Sequence, residues 1–299
     1  MISLFLQYLQ YEKNYSSHTV LSYRTDLFQF CDFLGTDPSE FNPALVSQST
    51  IQQWILSFME RGVSPRSISR KISSLKSFWR FLMKRGLVDK NPALKLVLPK
   101  TNKPLPAFYK QQEMDNVLSE NNRTGGFEAV RNRMIIDLFY ETGMRVSELV
   151  SLTDSSVDFD ARQLRVIGKR NKERIIPLGE TICQDLRVYQ EIRNRVTDIK
   201  CDALFVRKNG MKMYSKAIYN IVHNEMAQFS TLKKQSPHVL RHTFATILLN
   251  NGADINAVKD LLGHSSLAAT QVYTHVSFSE LNKIYKQAHP RAIKKGGQI

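Results

Sequence analysis

The chain has 299 residues, 42% of them hydrophobic, which is long enough for two domains with real cores. Its net charge of +15 and pI of about 9.7 ask for a polyanionic partner: nucleic acid first, an anionic membrane surface second, with a solvated ribosome-associated factor as the plain alternative. Cys31, Cys183 and Cys201 are scattered with no metal-ligand spacing, and the N-terminus has neither the basic lead-in of a signal peptide nor the length of a membrane span, so a cytoplasmic protein with reduced thiols and no membrane partner is expected.

The first segment reads as a short amphipathic helix with Leu4, Phe5, Tyr8 and Leu9 on one face. Ser16 or Ser17 then caps a helix running to about Leu34, with Gly35 beyond its end. Its apolar side carries Val20, Leu27 and Phe30, and Thr19, Tyr23 and Arg24 cluster on a polar side. A third helix spans roughly Ser49 to Arg61, presents Ile51, Trp54, Ile55 and Phe58, and stops at Gly62. The fourth opens at Ser64-Pro65 and runs to about Arg85, before Gly86. Ile68, Ile72, Leu75, Trp79 and Leu82 form its core stripe, while Ser69, Ser73, Lys76 and Arg80 form a second stripe. Small side chains let a helix approach a phosphate backbone and cations neutralise it, so these residues are candidate DNA contacts; an ordinary solvated face is the competing reading.

Four prolines and four lysines without a sustained period fill the stretch from Val88 to Pro106. An extended linker is expected there, its cations laid along an anion, with a boundary near residue 104. Helices follow at Gln111 to Glu120 and Val130 to Glu141, and Gly143 ends the second. Arg145 comes next, near the start of another helix, where unpaired N–H groups favour an anion. Gln163 to Ile167 and Glu173 to Pro177 read as the strands of a β-hairpin with Lys169 and Arg170 in its tip. Helices at Glu180 to Val196 and Ser215 to Phe229 bracket a short apolar strand at Ala203 to Val206.

Ser236 and Pro237 mark the N-cap and first residue of a helix that places His238 and Arg241 on one face. Asp254 caps a second helix that stops at Gly263, and His264 follows. A short capped turn from Ser265 or Ser266 leads to Tyr273. A last helix, Phe278 to Ala288, shows an apolar stripe of Phe278, Leu281, Tyr285 and Ala288, to be packed on a neighbouring protomer or on its own domain. The tail is expected to be disordered at its end.

This set suits a phosphodiester, whose cleavage needs cations on the non-bridging oxygens, an in-line nucleophile and an acid for the leaving oxygen. Arg145 and Arg241 supply planar forks, Tyr273 a nucleophile, Lys169 a proton donor, and His238 and His264 acid–base groups or donors. A metal reading rests on the spacing of His238 and His242 alone, without a glutamate between them or a third ligand nearby. His242 fits better as a buried ring that orients its helix. No P-loop and no acidic cluster for magnesium is present, which argues against an NTPase or a two-metal nuclease.

Arg145 in T-G-M-R-V-S-E-L, Lys169 in G-K-R-N-K-E-R-I-I-P-L, His238 and Arg241 in H-V-L-R-H, His264 in L-L-G-H-S and Tyr273 in V-Y-T-H-V resemble, in order and spacing, the tyrosine recombinase (phage integrase) family. The S-Y-R-T-D-L element, the A-H-P-R-A ending and the length are most similar to the bacterial Xer site-specific recombinases. The resemblance covers almost the whole chain and implies a mainly α fold with a small β-hairpin, arranged as a two-domain C-shaped DNA clamp. Residues 1–86 would form the helical core-binding domain, 87–106 the linker, and 107–299 the catalytic domain with a C-terminal exchange helix.

By the same resemblance Tyr273 attacks the scissile phosphate to form a 3′-phosphotyrosyl link, Arg145 and Arg241 hold the phosphate, and His264 assists as a donor. His238 is the acid–base partner of Tyr273, Lys169 the acid for the 5′-oxygen, and Glu148 a supporting residue. It implies no cofactor, metal or ATP, a double-stranded DNA site, and a homo-tetramer or a hetero-tetramer with a related recombinase, with a DNA translocase as an open further partner. Two departures stand out: Arg170 where relatives often have glycine, and the poorly matching A-F-Y-K-Q-Q-E-M start of the catalytic domain. Chromosome dimer resolution is the role expected first, integration of a mobile element second. A topoisomerase-like relaxer and a non-catalytic architectural DNA-binding factor are the rivals.

Overall fold

The computed structural model of the chain describes residues 1–96, 107–119, 125–168, 171–196, 198–263 and 278–291. The chain divides into two compact units, Met1–Pro104 and Leu105–Ile299.

Among the described residues the first unit holds four α-helices. Helix α1 (Ile2–Gln7) runs on into a π-helical turn at Tyr8–Glu12. Ile2, Phe5 and Leu9 are buried while Leu4 is 56% exposed, so the inward face is rotated from the one expected. The opening I-S-L-F-L is apolar on most sides, and the neighbouring rings decide: Phe5 lies 5.3 Å from Phe78 and 5.5 Å from Phe81 between centroids. Helix α2 (Ser17–Phe33) starts where Ser16 Oγ accepts the N–H of Thr19 at 3.3 Å. Helix α3 (Gln48–Glu60) begins a residue earlier than expected, capped by Ser47, which accepts from the N–H of Thr50 at 3.1 Å. Helix α4 (Pro65–Lys84) is capped by Ser64.

The helical spacing on α4 buries Ile68, Ile72, Leu75, Trp79 and Leu82 against Phe30, Trp54 and Ile51. Burial of each such side chain contributes about 1.5–3 kcal/mol of transfer free energy. A polar tie that the periodicity does not show joins α2 to α4. Asp26 is fully buried, accepts from Lys71 Nζ at 3.2 Å and Ser74 Oγ at 2.7 Å, and pairs with the Arg70 guanidinium. The proline-rich stretch does not start as an extended strap. Ala93 and Leu96 enter the same core, Asn91 Nδ2 donates to the Lys76 carbonyl at 3.2 Å, and Lys76 Nζ donates to the Leu96 carbonyl at 3.0 Å. Two apolar side chains with a core within reach outweigh the prolines there. Residues 97–106 lie outside the described residues.

In the second unit, α5 (Gln111–Val117) is shorter than expected, and α6 (Phe127–Thr142) opens three residues earlier, after Gly126. Helix α7 (Val146–Ser151) precedes a small antiparallel sheet in the order β1 (Val157–Asp158), β2 (Gln163–Ile167), β3 (Glu173–Pro177). The register sets Leu164 opposite Ile176, both fully buried. Then come α8 (Glu180–Val196), α9 (Ser215–Ala227), α10 (Pro237–Asn250), α11 (Ile255–Leu262) and α12 (Phe278–Ala288). Helix α6 is central and packs against α8, α9 and α10, so it is buried nearly all round and shows no clear amphipathic stripe. The apolar run Ala203–Val206 is buried but forms only the isolated bridges Thr153↔Ala203 and Val206↔Lys212 instead of a strand.

Helix α12 packs on α10, α11 and β3 of its own unit. Tyr285 and Ala288 are buried beside Phe244, Leu248, Val258, Leu261 and Leu262. The Tyr285 hydroxyl donates to Glu141 Oε2 at 3.1 Å, and Arg291 pairs with Asp137. The other two residues of the expected stripe, Phe278 and Leu281, have side chains outside the described residues, as do the expected turn from Ser265 or Ser266 to Tyr273 and the tail beyond residue 291. Among the described residues no helix is long and apolar enough to cross a membrane.

Candidate active site

Two elements of the second unit, α7 and β3, meet on one carboxylate, and α10 and α11 close around them. Arg145 is the N-cap of α7, and its backbone N–H donates to Glu148 Oε2 at 2.7 Å. Its guanidinium donates to Glu148 Oε1 at 2.8 Å and to the Gly263 carbonyl at 3.0 Å. From β3, Arg174 grips the same carboxylate with both Nη atoms, at 2.8 and 3.0 Å, and gives Nε to the Leu261 carbonyl at 2.9 Å. From α10, Arg241 donates to the Gly143 carbonyl at 2.6 Å and the Leu262 carbonyl at 2.7 Å. Three successive carbonyls at the C-terminus of α11, Leu261, Leu262 and Gly263, thus each take a different arginine. Carbonyls in a last helical turn have no partner further along the helix, and that end carries partial negative charge, so cations belong there.

Gly143 and Gly263 make this closure possible. Each is left-handed, with φ of +58° and +61°. A Cβ on Gly143 would lie 2.4 Å from Phe244 Cδ1, and one on Gly263 would lie 3.1–3.3 Å from the Arg174 side chain.

Three guanidinium groups against one carboxylate leave a surplus of positive charge. Burial pushes the Glu148 carboxyl up, but the hydrogen bonds from Arg174 and from the Arg145 N–H outweigh it and hold the pKa at about 2. Burial, then the charge of Arg145, pulls Arg241 down to about 10; Glu148 offsets part of this and Arg174 adds to it. An arginine depressed this far sits in a site short of an anion. His238, one turn before Arg241, reaches solvent. Partial desolvation, then the charges of Lys234, Arg241 and Arg145, hold it below the ordinary histidine value, so it is neutral at pH 7. The arrangement can bind a doubly coordinated oxyanion and offers a neutral imidazole as base.

Arg145, Glu148, His238 and Arg241 therefore lie in one site-forming region, while Lys169, His264 and Tyr273 lie outside the described residues, as does Arg170. Ser236 occupies the N-cap position, but its buried Oγ makes no capping bond and has no hydrogen-bond partner among the described residues. His242 is half-buried. No motif assigns a role to Arg174. The signal for it is strand parity, because it stands opposite the buried Val166 on the inward side of β3, where an arginine must be paired.

In the first unit, the Tyr23 ring packs against Phe5 and its phenol bonds to Ser77, which brings the α2 stripe beside that of α4. Thr19 is tied to Ser16 at 2.8 Å between hydroxyls, and exposed Arg24 lies over Phe28. Ser73 Oγ donates to the Ser69 carbonyl, Lys76 is held by Leu96, and Arg80 is exposed.

A helical N-terminal module followed by a mostly helical domain with three clustered arginines suits a class that handles phosphodiesters, and comparison with known proteins specifies it. Residues 108–280 match the Phage integrase family and residues 2–86 the Phage integrase, N-terminal SAM-like domain. The chain belongs to the phage integrase family. Curated relatives include proteins called tyrosine recombinase XerC from Oceanobacillus iheyensis, 40% identical over 97% of this chain and 96% of that one, and from Bacillus subtilis strain 168, 39% identical over 98% and 97%. Among solved structures, XerA recombinase is 28% identical with a TM-score of 0.50 over 97% of this chain and 98% of that one. XerH site-specific recombinase bound to palindromic difH substrate shares the fold, with a TM-score of 0.70 at 20% identity over 96% and 84%.

Proposed function

We propose that this chain, a site-specific DNA recombinase, cuts and rejoins double-stranded DNA through a covalent bond between Tyr273 and the 3′ phosphate. The observation that carries the reading is the cationic cluster at the C-terminus of α11, where Arg241, Arg145 and Arg174 bond three successive carbonyls around the single carboxylate of Glu148. In this reading the Arg145 and Arg241 guanidinium groups take the non-bridging oxygens of the scissile phosphate, and His264 donates to it. The Tyr273 oxygen attacks phosphorus and passes its proton to neutral His238. The bond to the 5′-oxygen breaks, and Lys169 supplies the proton that oxygen needs. The reverse sequence with a 5′-hydroxyl from another strand rejoins the backbone. One phosphoester is exchanged for another, so neither ATP nor a metal ion is called for.

Stripes at Thr19, Tyr23 and Arg24 and at Ser69, Ser73, Lys76 and Arg80 contact the DNA backbone, with residues 1–86 as the core-binding domain onto which 87–96, the start of the 87–106 linker, folds back, and 107–299 as the catalytic domain. The enzyme works in the cytoplasm as a tetramer on two recombination sites and resolves chromosome dimers. The name tyrosine recombinase XerC, carried by the curated relatives above, supports that role. A nicked suicide duplex carrying the site tests the chemistry: the wild type should accumulate a covalent adduct, and Tyr273→Phe should bind the same duplex and form none. Adduct formation by the variant would overturn the assignment.

A further inference from the structure

We infer that Arg174 is a positioning residue of the site, a side chain that holds in register the phosphate clamp and the two backbone points, Gly168 and Gly263, after which Lys169 and His264 follow. The inference rests on the strand-cleaving reading given above. Arg174 does not touch the phosphate in this scheme. Both its Nη atoms are paired with the Glu148 carboxylate and its Nε with the Leu261 carbonyl, whereas the Nη atoms of Arg241 bond only the neutral Gly143 and Leu262 carbonyls and leave its charge for an anion.

Each of those commitments leads to a different part of the machinery. Through Glu148 it orients Arg145, because Glu148 Oε1 receives Arg174 Nη1 and Arg145 Nη1, both at 2.8 Å. A carboxylate gripped by the Arg174 fork has one rotamer, so Arg145 inherits one as well. Through Leu261 it fixes the end of α11, where the next two carbonyls hold Arg241 and Arg145.

The two glycines beside the pair extend the same logic. A Cβ on Gly168 would sit 3.3 Å from Glu148 Oε1 and 3.6 Å from Arg174 Nη1, and one on Gly263 would sit 3.1 Å from Arg174 Nη1. Gly168 is the residue before Lys169 and Gly263 the residue before His264. Both chains therefore leave for their functional residues from backbone packed directly on the Arg174–Glu148 pair. The Gly168 N–H also donates to the Lys172 carbonyl at 2.7 Å, closing the hairpin at that point. A shift of the pair would move both departure points and Arg145 together, and a displacement of about 1 Å at a reacting group can cost on the order of 10²-fold in rate.

A lysine at this position keeps the charge but cannot grip both carboxylate oxygens and a carbonyl at once. Arg174→Lys should bind the nicked duplex as the wild type does yet form the covalent adduct about 10²-fold more slowly. Arg174→Ala should show the same split between binding and cleavage, and added guanidinium, but not the same concentration of ammonium, should restore part of the rate. A wild-type cleavage rate in Arg174→Lys overturns the inference. So does an Arg174→Ala protein with wild-type far-UV dichroism and duplex binding whose lost rate guanidinium leaves unchanged. If the alanine variant does not fold, the lysine variant decides alone. Absence of any adduct with the wild-type protein would instead strike the strand-cleaving reading, which keeps the two failures apart.

Discussion

Glu148 shows how much one buried group can hold. It is 1% exposed, accepts from two guanidinium groups and a backbone N–H, and is held at about 2 against an ordinary value of 4.5. A carboxyl depressed on folding adds stability that is present above pH 4.5 and is lost as pH falls through about 2, and here it is worth about 3 kcal/mol at neutral pH. Glu148→Gln should therefore be markedly less stable than the wild type at pH 7, with the difference between the two shrinking steadily from pH 4.5 to 2. Urea denaturation at stepped pH checks this, and parallel curves would contradict it. At this scale the sequence named Arg145, Glu148, His238 and Arg241, because their chemistry is carried by motifs with fixed spacing. It did not name Arg174 or Asp26, whose importance comes from what faces them across a sheet or a helix pair. A buried ion pair between distant residues leaves no local pattern to read.

The elements follow local chemistry where caps and stops decide and depart from it where tertiary packing does. Ser16, Ser64 and Asp254 cap the helices expected of them, and Gly143 and Gly263 end theirs in the left-handed region. The N-terminal helix is rotated, the run Ala203–Val206 is buried without becoming a strand, and the start of the proline-rich stretch folds onto α4; each was settled by a neighbouring surface that the local sequence does not contain. The stops themselves differ in what surrounds them. Gly35 has φ of +65° and open space around a Cβ, whereas Gly143 has φ of +58° and the Phe244 ring at 2.4 Å. Gly35→Ala should cost about 1–2 kcal/mol for the left-handed backbone alone. Gly143→Ala adds overpacking against α10 and α11 and should cost about 2–5 kcal/mol. Thermal melts of the two variants separate the contributions, and equal losses would show that the contact at Gly143 carries no strain.

At the scale of the whole molecule, each unit carries its own apolar core, and the proline- and lysine-rich stretch joins them. Residues 1–96 and 107–299 produced separately should each unfold in a single cooperative transition, which calorimetry reads directly; a broad, non-cooperative melt of either would contradict independent folding. With a charge of +15 shared over both units, DNA affinity should fall steeply with salt. The claim on which everything else depends is that Tyr273 becomes the phosphotyrosine. Mass spectrometry of the protease-digested adduct from a nicked suicide duplex tests it without any substitution. A nucleotide mass on the peptide containing Tyr273, joined through the 3′ phosphate, is the expected result; the same mass on a peptide carrying another tyrosine, such as the exposed Tyr214 or Tyr219, would contradict it.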